Sequence, residues 1–162
     1  MKFMIIAIVA LLVTTMGAYG DEIESRIWDI AKVEYPNDKN MQEYIFKQQF
    51  SAYKYLQTVV DSNVKKIAIY EYPNDFSMQK YVYDQQLAAK RYMAFVEDEE
   101  VKAISLREYP NDFSMQKYTY DQQFAAKEFM KSVENQAVKT QAVREYPNDY
   151  SMQKYTYERQ VF

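Results

Sequence analysis

Apolar residues recur at helical spacing along most of this chain. From Asp75 to about Val96, the residues Met78, Tyr81, Val82, Gln85, Ala89, Tyr92, Met93 and Val96 share one broad face, as expected at about 100° per residue. Met41, Tyr44, Ile45, Ala52, Tyr55, Leu56 and Val59 give the same pattern upstream. Met115, Tyr118, Ala126, Phe129, Met130 and Val133 give it downstream. A shorter apolar line follows each long one: Val64, Ile67 and Ala68, then Val101, Ile104 and Ser105, then Val138 and Ala142. Ile23, Ile27, Ile30 and Ala31 form a lone short segment before the first long one.

The punctuation between these segments is regular. Glu-Tyr-Pro-Asn-Asp occurs four times, with prolines at Pro36, Pro73, Pro110 and Pro147, each 37 residues from the next. Nine positions are identical in all four copies, adding Met78, Gln79, Tyr81 and Gln86 in the numbering of the second. Proline disfavours helix at the residue before it, so a helix stops at each tyrosine of the motif. The Asn and Asp that follow are both good N-cap types, and an acidic side chain there suits the positive end of the next helix. Polar clusters at Asp61, Asp98 and Asn135 predict a second turn inside each copy, with those residues as N-caps. One unbroken helix of about 35 residues per copy is the competing reading.

The expectation is therefore an all-α protein, an α-solenoid-like stack of 37-residue helix-turn-helix repeats, each a long helix and a short one. The alternative is a bundle of long antiparallel helices broken at the prolines. Residues 21–162 would form one helical repeat domain, with a short helix over 21–35, repeats beginning near 36, 73 and 110, and a truncated repeat at 147. The design is similar to α-solenoids of the tetratricopeptide kind, although that period is 34 and its Trp, Gly and Pro pattern is absent here.

Residues 1–20 read differently. Lys2, an apolar run from Phe3 to Met16, and Ala18 and Gly20 at the −3 and −1 positions form the layout of a secretory signal peptide cut before Asp21. The run is short for a membrane span, so no stable membrane insertion is expected after cleavage. Export to a periplasmic or extracellular location follows. Both glycines fall in this segment. The remainder has none for the tight turns of hairpins, which again favours helices.

Charge and composition narrow the chemistry. Without Lys2 the chain carries 19 basic and 23 acidic residues, a net charge of −4, which offers nucleic acid no basic footprint. There is no histidine and no cysteine, so metal clusters built on them and Ser-His or Cys-His nucleophiles are excluded. No Gly-rich phosphate loop exists. Acidic pairs such as Glu71 and Asp75 flank each proline, but four near-identical copies suit caps and turns better than a catalytic pair. No catalytic residue, metal ligand or cofactor is expected.

A second apolar line lies opposite the Met78 face. It comprises Phe76, Tyr83 and Leu87 in the second copy, Phe113, Tyr120 and Phe124 in the third, Tyr150 and Tyr157 in the fourth, and Phe46 and Phe50 in the first. A helix sandwiched between neighbours needs two buried faces, and that is one account. The other is an exposed aromatic ladder for binding, since tyrosine combines contact area with a polar tip. Gln48, Gln85 and Gln122 are placed within the core face, with Gln49, Gln86, Gln123 and Gln160 beside them. Stacked amides there would bond across adjacent helices, or read a peptide backbone or sugar hydroxyls.

The functional expectation is an exported, non-enzymatic module that binds a protein or peptide, including a second copy of itself, along a Tyr-rich surface. A structural, self-associating envelope protein and a carbohydrate- or cell-wall-binding protein are the alternatives.

Overall fold

A computed structural model describes residues 22–161; the expected signal peptide lies outside them. The described chain is all helical. Helix α1 covers 22–34. There follow α2 (Lys39–Thr58), α3 (Ser62–Glu71), α4 (Phe76–Phe95), α5 (Glu99–Glu108), α6 (Phe113–Ser132), α7 (Gln136–Glu145) and α8 (Tyr150–Val161). Helices of 20 and 10 residues alternate from α2 to α7.

The repeated motif builds its turn from local hydrogen bonds. The N–H of Tyr72 closes the last turn of α3 on Ala68 O at 3.1 Å. Pro73 and Asn74 form the turn, and the Asp75 N–H returns to Tyr72 O at 3.4 Å. Asp75 Oδ1 then accepts the Met78 N–H at 2.9 Å, which satisfies one of the free donors at the start of α4. Gln79 reaches back over the turn and donates to Tyr72 O at 2.6 Å. Gln42, Gln116 and Gln153 do the same to Tyr35, Tyr109 and Tyr146 at 2.6–2.7 Å. This accounts for the identity of Asp and Gln in every copy; the methionine supplies only a backbone N–H here.

The second turn of each copy is real. Asp61, Asp98 and Asn135 accept the N–H groups of Val64, Val101 and Val138 at 3.1–3.2 Å. Val59 and Val133 leave the preceding helices in extended conformation, so the unbroken 35-residue helix does not occur. No described residue has positive φ, and the turns need no glycine.

Two compact units divide between Tyr81 and Val82, inside α4. In the first, Ile27 and Ala31 of α1 are wholly buried, as are Val64 and Ala68 of α3, joined by Ala52 and Leu56 of α2. Trp28 stacks on Phe46 at 4.5 Å, and Arg26 donates to Pro73 O and Asn74 Oδ1. In the second, α6 packs on α5 and α8, and α8 on α7. Its core holds one cluster of Met93, Val101 and Tyr120 and another of Met130, Val133, Ala142 and Tyr157.

The buried face of the long helices is rotated from the expected one. In α4 the buried positions are Phe76, Gln79, Val82, Tyr83, Gln86, Ala89 and Met93, a strip turned toward the predicted ladder. Tyr44, Tyr81 and Tyr118, assigned to the core face from sequence, lie outside it and are more than half exposed. Gln48, Gln85 and Gln122 are exposed as well, whereas their neighbours Gln49, Gln86 and Gln123 are buried. The reason is chemical. A tyrosine counts as apolar in a pattern but tolerates water at its tip, and an amide with both ends bonded is cheap to bury.

Candidate functional site

Four of the ten predicted ladder residues are interior and five more are half-buried. Tyr83, Tyr120 and Tyr157 are 2–5% exposed and Phe76 is buried at its edge. Phe46 and Phe50 are half-buried and stack at 5.6 Å; Phe50 continues to Tyr53 at 6.3 Å, and Tyr53 meets Phe76 edge-on at 5.2 Å. Leu87, Phe113 and Tyr150 are half-buried. Lys90 and Lys127 cover the Phe113 and Tyr150 rings, each at 5.1 Å from the ring centre. The Tyr157 hydroxyl accepts the Asn135 N–H at 3.1 Å. Phe124, at 38% exposure, is the ladder residue that most clearly faces solvent.

A different row is exposed. Tyr44, Tyr81, Tyr118 and Tyr155 occupy one register position in the four long helices and are 51–59% exposed. One turn further along each helix stand Gln48, Gln85, Gln122 and Arg159, also exposed. Gln48 donates to the Tyr44 hydroxyl at 2.5 Å, and Arg159 lies over the Tyr155 ring at 5.5 Å. The preceding lysines fix the surroundings of three of them. Lys80, Lys117 and Lys154 sit 4.5–5.0 Å above the rings of Tyr55, Tyr92 and Phe129. Aromatic surface on these long-helix pairs is thus held in a repeated geometry.

The second unit also carries an open groove of about 780 Å³ between the last turns of α4 and the middle of α6. Tyr120 and Phe124 stack along its floor at 5.7 Å and 8°, with Tyr92 edge-on to Tyr120 at 6.3 Å. Phe95 stands at its margin, 85% exposed. The Tyr92 hydroxyl donates to Asp121 at 2.7 Å. That hydrogen bond is the main reason its pKa is pushed up to about 12, with burial and the Asp121 charge adding to it. Sequence reading did not single out Phe95. The available signal was the repeat itself: the matching residues are Thr58 and Ser132, so a large aromatic there serves no need common to the copies.

Asp98, which lines the groove, belongs to a charge cluster between α5 and α6. Lys127 bonds Asp98 at 2.8 Å and Glu100 at 2.8 Å. Burial alone would raise the Asp98 carboxyl, yet hydrogen bonds from Lys127 and the Val101 N–H, with the charges of Lys127 and Lys131, hold it below its ordinary value. The Glu100 carboxyl is lowered chiefly by Lys127. Burial works against the charge on Lys127, but its two carboxylate partners outweigh that and raise it. Asp98 is also the N-cap of α5, so this cluster ties α5 to α6 rather than facing a substrate.

No group of three or more acidic side chains among the described residues is placed to hold a metal ion. No described helix is long and apolar enough to cross a membrane. Comparison with known proteins finds no matching family model, no matching curated protein and no matching solved structure.

Proposed function

We propose that this chain is an exported, non-enzymatic repeat module that binds a protein or peptide through the tyrosine-bearing side of its long helices. The observation that carries the reading is the row Tyr44, Tyr81, Tyr118 and Tyr155. The tyrosine is kept in every copy, yet more than half of each side chain faces water. The identical Asp and Gln residues make the turns, and this tyrosine is outside the core. Helices α2 and α4 share only part of their sequence, so its retention is not mere duplication. Tyrosine gives large, rigid contact area with a polar tip, which is why interfaces favour it.

The test is affinity capture from the protein's own secreted or envelope fraction, with crosslinking. Wild type is compared with a variant carrying Tyr→Ser at all four positions. Its melting temperature should stay within about 2 °C, since exposed substitutions change stability little. Loss of the captured species supports the reading; an unchanged set refutes it. Light scattering over a concentration series shows whether the species is a second copy of the chain.

One observation favours a second reading. Exposed Gln48, Gln85 and Gln122 stand one turn from exposed tyrosines, and rings beside amides suit sugar stacking and hydroxyl recognition. A glycan array probed with wild type and the four-tyrosine variant tests it, and no binding to any glycan removes it.

A further inference from the structure

The open groove of the second unit offers recognition chemistry that the repeat does not require. Phe95 ends α4 and is 85% exposed, where the equivalent residues Thr58 and Ser132 are polar. Unlike singly scattered exposed residues, Phe95 stands at the margin of an apolar groove. Phe124 faces it from α6 at 38% exposure. Arg91 lies one turn before Phe95 on the same side of α4 and lines the same groove. The equivalent residues are Lys54 in the first copy and Glu128 in the third, so a basic residue here is shared with one copy and reversed in another.

The charges around the groove are largely matched within the protein. Lys131 pairs with Glu128 at 2.6 Å, and Asp98 with Lys127 at 2.8 Å. Arg91 is exposed and makes no hydrogen bond or ion pair among the described residues. Its planar guanidinium is a fork for a carboxylate. The other unmatched rim charge, Glu97, comes two residues past the end of α4. It opposes a run of acids, so the complementary ligand carries a single acid on the Arg91 side.

We infer that this groove is a peptide-docking site: a segment of a partner protein inserts a large apolar or aromatic side chain between Phe95 and Phe124 and sets one carboxylate on Arg91. Arg91 and Phe95 are four residues apart, about 6 Å along the helix. A helical ligand would therefore place its acid and its anchor three or four positions apart. The inference rests on the reading of the chain as an interaction module, but it does not use the tyrosine row.

The probe is a phage-displayed library of random dodecapeptides panned against the protein. Selected sequences are then remade with a fluorophore and titrated by polarisation. The expected result is enrichment of peptides pairing one Asp or Glu with a Phe, Trp, Leu or Met three or four positions away. Phe95→Ser should weaken their binding at least tenfold. Arg91→Gln should weaken it several-fold and reduce its salt dependence, while binding of the same peptide with its acid changed to amide should be indifferent to Arg91→Gln. Neither substitution should move the melting temperature, since neither side chain supports the core. The four-tyrosine variant should bind these peptides as wild type does. Failure of any peptide to enrich, or equal affinity for wild type and Phe95→Ser, overturns the groove. Loss of binding in the four-tyrosine variant, with Phe95→Ser unaffected, moves the site to the tyrosine row and leaves only the broader function standing.

Discussion

Adjacent glutamines in the long helices should behave as opposites, and Gln85 and Gln86 test this most directly. Gln86 is 4% exposed. Its Nε2 donates to Asp112 Oδ1 at 2.8 Å, and its Oε1 accepts the Ser114 N–H at 3.1 Å. One amide thus serves both the N-cap carboxylate of α6 and a backbone N–H of the first turn that the cap itself does not reach. Asp112 already takes the Met115 N–H at 3.0 Å, so the two side chains divide the free donors between them. Gln49 repeats the arrangement on Asp75 and Ser77 at 2.8 and 3.2 Å. Gln123 repeats it on Asp149, Tyr150 and Ser151 at 2.7–3.3 Å. Gln85 is exposed.

Gln86→Ala removes two hydrogen bonds, each contributing about 1 kcal/mol net, and leaves a half-buried N–H without its partner. The expected loss is about 2–3 kcal/mol, which in a chain of this length lowers the melting temperature by roughly 5–10 °C. Gln85→Ala should change stability by less than about 0.5 kcal/mol. Thermal and urea unfolding followed by circular dichroism at 222 nm reads both. A third variant sharpens the argument. Gln86→Glu keeps the shape and the acceptor but sets a carboxylate against Asp112, so it should be worse than alanine at pH 7 and recover as the pH falls through about 4. Equal losses from Gln85→Ala and Gln86→Ala, or a pH-independent Gln86→Glu, would refute the clamp.

Three further outcomes are expected. Tyr83→Ala and Tyr120→Ala should each cost about 3–5 kcal/mol, as truncation of a buried aromatic does; a shift of under a degree in melting temperature would contradict their burial. The Asp98 carboxyl is held low in the folded state, so its contribution is present above the unfolded pKa near 4 and is lost as the pH falls through the depressed folded value. Lys127→Met should therefore destabilise the protein at pH 7 and flatten its acid unfolding curve, measured by urea midpoints from pH 2 to 7. Tyr92, raised to about 12, contributes stability that is full below about pH 10 and fades as the pH rises toward 12. Tyr150 is also raised, chiefly by burial and then by its Glu100 hydrogen bond, so a 295 nm titration should show late-titrating phenol absorbance of which Tyr92→Phe removes one phenol's share.

The helices and their ends were readable before any coordinates because their causes are local. A proline stops one helix, an aspartate three residues before a methionine N–H starts the next, and both act within a single turn of chain. The paired caps at Asp61, Asp98 and Asn135 follow the same logic, which is why the second break in each copy was visible as well. The rotation of the buried face was not, because it depends on residues whose class is ambiguous. Tyr81 and Gln86 are both invariant and five residues apart, and a hydropathy scale puts the first inside and the second outside. The reverse holds because Gln86 finds two partners on the next long helix, 26 and 28 residues away, and only tertiary packing supplies them. Where the copies agree, the agreement reports chiefly the clamps and turns that each copy needs to meet its neighbour. Where they disagree at an exposed site, as at Phe95 against Thr58 and Ser132, the fold imposes no shared demand, and the groove beside that ring is where recognition is proposed. In a chain of near-identical units, the search for function therefore belongs at two kinds of position: an invariant residue the core does not take in, and a departure that the core would not have chosen.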